Sequence, residues 1–142
     1  MIYVDTSALV ALLTVEPHSP AVTAWFTANI EPLVSADWCA VEFASALAAK
    51  QRARQLRPAH ARAAHESFAA LTAGGLRLLP VNRASFQRAA ALAKPARDGL
   101  RAGDALHLAV ALDAGAKSLA GLDKPMNASA QRLGLRLVVR AA

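Results

Sequence analysis

The chain is short of cysteine, aromatic rings, acidic residues and long apolar runs, and each shortage excludes something. A single cysteine, Cys39, rules out an internal disulfide and any Cys-x-x-Cys metal pair. Aromatic residues make up only 5% of the chain, and Trp25 and Trp38 stand among apolar neighbours. Both tryptophans read as core or interface residues rather than base-stacking platforms. The longest unbroken apolar run, Ala8–Leu13, is far below the roughly 20 residues that cross a bilayer. The first residues, MIYVD, carry neither a basic n-region nor a cleavable apolar stretch, so the expectation is a protein of the reducing cytosol with no membrane association. At 142 residues and 55% hydrophobic content the chain is too apolar for disorder, and one domain spanning 1–142 is expected.

What is abundant is positive charge. Sixteen Lys and Arg oppose ten Asp and Glu, for a net charge of +6. No carboxylate occurs from Phe43 to His65, where Lys50, Arg52, Arg54, Arg57 and Arg62 lie, nor from Ser67 to Arg97. Such a surface attracts phosphates and speeds encounter with polyanions. Solvated helix faces rich in Ala and Arg account for the same charge, so charge permits a nucleic-acid partner without requiring one.

Short β-rich pieces alternate with longer helical ones. Strands are expected at Ile2–Val4, Leu33–Ser35, Leu76–Val81, Lys117–Ala120 and Leu135–Val139. Helices are expected over Thr6–Thr14, Ser19–Ile30, Asp37–Leu56, Ala59–Ala73, Ala84–Lys94, Ala105–Ala114 and Pro125–Leu133. Pro58 is read as the stop of the third helix and Gly74-Gly75 as a left-handed stop for the fourth. Strands joined by helical crossovers imply a three-layer α/β/α sandwich on a five-strand, mostly parallel sheet. Ligands of such sheets gather at the carboxyl ends of the strands.

With few acids available, their positions can be weighed singly. Asp5 directly follows the first strand. Glu42 sits mid-helix between Trp38 and Ala49, where Ser45 is the only other polar side chain. That helix reads as apolar all round and therefore buried, which makes an unpaired carboxylate costly. Asp104 begins a helix in which only His107 interrupts an apolar run as far as Leu112, and Asp123 follows the fourth strand. Asp5 and Asp104 can be helix caps and Asp123 a turn residue. Glu42 has no such explanation. Four acids brought to one rim would repel, and a divalent cation resolves that repulsion, with oxygen donors suiting Mg²⁺ or Mn²⁺ over zinc.

The segments YVDTSALVAL, VSADWCAVEFASAL, RAGDALHLAVAL and SLAGLDKPM resemble, in order and spacing, those of PIN-domain ribonucleases, and more narrowly the VapC-type toxins of toxin–antitoxin pairs. The resemblance covers the whole chain. It implies a Mg²⁺-dependent endoribonuclease whose acids are Asp5, Glu42, Asp104 and Asp123. Asp5 and Asp104 would ligate the metal, Glu42 would complete the shell or help hold a second ion, and Asp123 would orient a metal-bound water. It also implies a homodimer and a small antitoxin lying across the active-site groove, on a surface that helix Ser19–Ile30 can form in part. The family's hydroxyl two positions before the last acid is replaced here by Gly121, so Thr6 or Ser7 is expected to supply it. Arg97 and Arg101 flank the site as candidate phosphate contacts. His107 shares a helix face with Asp104 but reads as a packed or surface histidine. Two other classes stay open: a non-catalytic RNA-binding or regulatory module, and a metal-dependent phosphatase. The phosphatase reading wants a second acid two residues beyond Asp5, where Ser7 stands.

Overall fold

The structure, a computed structural model, describes residues 1–140. Its element order is β1 (Ile2–Val4), α1 (Thr6–Leu13), α2 (Ser19–Ala28), β2 (Leu33–Ala36), α3 (Asp37–Arg52), α4 (Pro58–Gly74), β3 (Leu76–Leu79), α5 (Arg83–Ala93), a 3₁₀ turn (Ala96–Asp98), α6 (Ala102–Asp113), β4 (Ser118–Ala120), α7 (Lys124–Arg132) and β5 (Arg136–Leu137). The strands form one sheet in the order β3-β2-β1-β4-β5, with every pairing parallel. This is the expected five-strand α/β/α sandwich.

The period-two alternation of β1 assigns the layers. Ile2 and Val4 enter a core with Leu9, Val22, Phe43, Leu47 and Ala64, from α1, α2, α3 and α4. Tyr3 points the other way, into a core with Ala89, Leu108 and Met126 from α5, α6 and α7. Both faces of the sheet are therefore covered, as parallel strands require. The chain first builds outward from β1 to β2 and β3, then returns to add β4 and β5 on the other side. The strand order thus reverses between β1 and β4, and ligands of such sheets bind beyond the carboxyl ends of the strands at that point.

Several expected boundaries move, for local reasons. Helix α3 ends at Arg52 rather than Leu56, because Arg54 turns left-handed at φ 57° while the Gln55 N–H returns to the Lys50 carbonyl at 2.8 Å. Pro58 starts α4 as its first residue, where its missing N–H costs nothing. Gly75 stays right-handed at φ −96°; the left-handed glycines are Gly99, Gly115 and Gly134. Helix α3 is not buried all round. It buries Cys39, Phe43 and Leu47 on one stripe, while Val41 is 60% exposed and Ala44 and Ser45 face water. Alanine counts as apolar in sequence yet is small and helix-favouring, so it tolerates the surface. Val22 of α2 is wholly buried in the core and is unavailable to a docking partner. Among the described residues no helix is long and apolar enough to cross a membrane.

Candidate active site

The carboxyl ends of β1 and β4 are tied together by the Asp5 N–H, which donates to the Ala120 carbonyl at 2.9 Å. Asp5 and the Gly121–Asp123 segment therefore leave the sheet side by side. Asp5 is the N-cap of α1 and is 4% exposed. Its Oδ2 accepts from the Ser7 hydroxyl at 2.6 Å, and the same hydroxyl oxygen accepts from the Leu122 N–H at 3.0 Å. Ser7 thus fixes the carboxylate and the β4 exit at once. Ser7→Ala leaves the Leu122 N–H without that acceptor and is expected to cost about 1–3 kcal/mol in a denaturant titration.

Glu42 arrives from α3, in the layer opposite α6, and meets His107 over the end of β1. Glu42 Oε1 accepts from the Thr6 hydroxyl at 2.7 Å and is hydrogen-bonded to His107 Nε2. That nitrogen lies 3.5 Å from Asp5 Oδ1, and the other ring nitrogen lies 2.6 Å from the Tyr3 hydroxyl. Burial pushes the Glu42 carboxyl up, but the His107 hydrogen bond and charge, with help from Thr6, outweigh it and hold the group below its ordinary range. Burial alone would lower His107, yet the hydrogen bond to Glu42 and the nearby Asp5 charge raise it. The two groups are hydrogen-bonded to each other inside the acid cluster.

Helix α6 can lie this close because of Gly103. A Cβ at that position would stand 2.7 Å from Glu42 Oε2 and 3.3 Å from the Trp38 indole nitrogen. Asp104 follows as the third residue of α6. The cap residue is Arg101, so the capping explanation for Asp104 does not hold. Its Oδ2 is buried with no hydrogen-bond partner among the described residues. Burial, then the charges of Asp123 and Asp5, push the Asp104 carboxyl up to about 6, with Arg101 and His107 partly offsetting them. Asp123 caps α7, its Oδ2 accepting from the Met126 N–H at 3.0 Å.

The four expected acids converge, and Thr6 and Ser7 aim their hydroxyls at Glu42 and Asp5. Arg101, 79% exposed on its side chain, stands 3.6 Å from Asp104 Oδ2 and 3.3 Å from Asp123 Oδ1. Arg97 does not join them. It is 90% exposed, and the carboxylate beside it is Asp98 at 3.8 Å. His107 is the packed histidine of the two expected alternatives, wholly buried, and its two nitrogens meet Tyr3 and Glu42, which ties it to the acids. Its i+3 spacing from Asp104 was the available signal. Trp38 is half-buried, packed against the core under α6 with its indole nitrogen reaching Gly103 at the rim of the acids. At Gly121, Asn127 fills the space a side chain would take, its Oδ1 standing 3.1 Å from where a Cβ would be.

Asp5, Glu42 and His107 offer ligand atoms within 4.8 Å of one another. The Asp104 oxygen adds a hard donor that has no hydrogen-bond partner among the described residues, the exposed Arg101 guanidinium standing 3.6 Å away. A divalent cation fits the carboxylates of this cluster, because it would satisfy that oxygen and offset their mutual repulsion.

A family profile described as PIN domain matches residues 2–131. No curated protein matches the chain by sequence. Among solved structures, Mycobacterium tuberculosis VapC20, described as a sarcin-ricin loop cleaving toxin, superposes with a TM-score of 0.75 at 19% identity, covering 91% of this chain and 95% of that one. FitAcB from Neisseria gonorrhoeae gives 0.67 at 22% identity, covering 96% of each chain. A FitAB structure bound to an IR36 DNA fragment gives 0.64 at 20% identity, covering 96% and 93%. At these identities the likeness is one of fold.

Proposed function

Since the chain belongs to the PIN-domain family, we propose that it is a Mg²⁺-dependent endoribonuclease, with Mn²⁺ an acceptable substitute, acting as the toxin of a VapBC-type pair. The observation that carries the reading is the Asp104 Oδ2 atom, buried without a hydrogen bond among the described residues, close to the charges of Asp5 and Asp123 and answered only by the exposed Arg101 at 3.6 Å. Burying a carboxylate oxygen unpaired costs free energy and persists where function requires the group bare. That VapC20 is described as a sarcin-ricin loop cleaving toxin supports a cleavage reaction and the toxin role.

Asp5 and Asp104 would hold the ion, with Glu42 Oε2 facing the same space. When bound, the cation supplies Lewis acidity, lowering the pKa of water and offsetting charge that develops on the phosphate. Asp123, anchored as a helix cap, orients the attacking water. Ser7 and Thr6 keep Asp5 and Glu42 from turning away. Arg101 neutralises Asp104 and Asp123 in the resting protein and is placed to transfer to a phosphate of the incoming strand. Arg97, exposed beside Asp98 and apart from the acids, would meet a phosphate only farther along the strand. Water's oxygen joins phosphorus, the bond to the 3′ oxygen breaks, and that oxygen takes a proton, leaving 5′-phosphate and 3′-hydroxyl ends. A small antitoxin across the groove and a second copy of the chain are the proposed partners, and the bacterial cytoplasm the proposed setting.

Purified protein, freed of any antitoxin, should cut a total-RNA pool into discrete fragments with 5′-phosphates in Mg²⁺, and lose that activity in EDTA. RNA retained on a filter but never cut, in either ion, would sink the nuclease and leave an RNA-binding module. Release of phosphate from small phosphoesters without RNA cleavage would favour a phosphatase.

A further inference from the structure

Tyr3 and His107 lie beneath the acids with no exposure at all, and neither belongs to the metal-holding set proposed above. Because β1 alternates, Tyr3 is the one residue of that strand to face α6, where it meets His107 edge to face with ring centres 5.7 Å apart. The phenol oxygen is 2.6 Å from Nδ1. On the other side of the ring, Nε2 touches Glu42 Oε1 and stands 3.2 Å from the Thr6 hydroxyl. Two bare acceptors do not approach to hydrogen-bonding distance, so a proton lies between Nε2 and the carboxylate. A nitrogen that carries this proton has no lone pair to give a cation.

We infer that Tyr3 and His107 are positioning residues: a buried strut in which the hydroxyl holds Nδ1 and the Nε2–H donates to Glu42, so that His107 is not a metal ligand despite its place among ligand-type atoms. The inference rests on the metal-dependent reading of the acids. Its consequence is an assignment of oxygens. Glu42 Oε1 is saturated by the Thr6 hydroxyl and the His107 N–H, which leaves Oε2, on the Gly103 side, as the oxygen that serves the reaction. The site side of the cluster is then all oxygen. A glutamate reaches across from the opposite helical layer on a flexible side chain, and the strut removes that freedom.

Tyr3→Phe deletes only the hydroxyl. It is expected to lower kcat on RNA about 10–100-fold, the usual cost of losing such an outer partner. KM for RNA and the Mg²⁺ to Mn²⁺ activity ratio should not change. An unchanged kcat, or an altered ion preference, overturns the positioning role. Two readouts on the wild-type protein are independent of activity. Nitrogen-15 NMR of labelled histidine in the metal-free protein should show a slowly exchanging proton on His107 Nε2, and a bare Nε2 overturns the strut. Pulsed EPR with Mn²⁺ added should show no nitrogen coupling from a directly bound imidazole, and such a coupling makes His107 a ligand. If the wild-type protein cleaves no RNA in either ion, the functional reading falls while NMR still decides the strut.

Discussion

Asp104→Asn abolishes RNA cleavage and makes the metal-free protein more stable. The first half follows from removing a charged oxygen donor from the proposed metal centre. The second follows from electrostatics in the resting state. Burial and the neighbouring Asp123 and Asp5 raise the Asp104 carboxyl from an ordinary 3.8 to about 6, so ionising it in the folded state works against the fold. A folded pKa above the unfolded one means that the native state binds more protons between the two values. Stability from this group therefore declines as pH rises from about 4 to about 6 and stays low above that. At about 1.36 kcal/mol per unit, the variant should gain about 1–3 kcal/mol at pH 7 and nothing near pH 4. The Glu42 carboxyl, held low, contributes the opposite slope in acid in both proteins. The difference between wild type and variant therefore isolates Asp104. Denaturant titrations at pH 4.5 and 7, with and without Mg²⁺, measure it. Mg²⁺ should stabilise the wild type at pH 7, less at pH 4.5, and the variant hardly at all. A variant that unfolds at pH 7 would show that Asp104 is a structural partner instead.

Gly103→Ala separates activity from folding in another way. Alanine is the better helix former by about 1 kcal/mol, and Gly103 lies inside α6 with an ordinary helical backbone. Yet its methyl would fall 2.7 Å from Glu42 Oε2 and 3.3 Å from the Trp38 indole nitrogen. The carboxylate must move, and it is the end tied to Thr6 and His107 that resists. Misplacement on the scale of an ångström costs about 10²-fold in rate. The expected result is a protein with an unchanged or slightly higher Tm whose cleavage rate is about 100-fold lower. Trp38 fluorescence provides an internal check, since the indole sits in the same contact. Full activity in Gly103→Ala would mean that Glu42 is not held for the reaction.

The fold was legible because its determinants are local and periodic. Strands of two to four residues alternating with helices close as a parallel sheet with crossovers, and β1 to β5 follow that pattern. The errors fell where a residue's neighbours in space, rather than in sequence, decide. Alanine-rich α3 reads as buried all round because hydropathy does not distinguish a small surface alanine from a core one. Pro58 marks a break in either role, and only the turn at Arg54 shows that it begins α4. At the site, only Glu42 was visible as an acid without an ordinary explanation, while Asp5, Asp104 and Asp123 read equally as cap or turn residues; the structure makes Asp5 and Asp123 helix caps, denies that role to Asp104, and brings all four to one rim.

What the sequence determined by itself is which elements form, which side chains carry charge, and that Glu42 sits in an apolar stretch. Which oxygen meets which partner belongs to tertiary structure alone. Tyr3 and His107 are 104 residues apart and meet only because β1 is flanked by β4 and covered by α6. Gly103 is an unremarked glycine until α3 and α6 are seen to touch across it. Arg97 and Arg101 look equivalent in sequence, four residues apart in one loop. In the folded chain one reaches Asp104 and Asp123 while the other points into solvent. Hydrogen bonds and ion pairs act over about 3–4 Å. Partner identity at that range is set by how the layers pack over the sheet, and no local pattern encodes it.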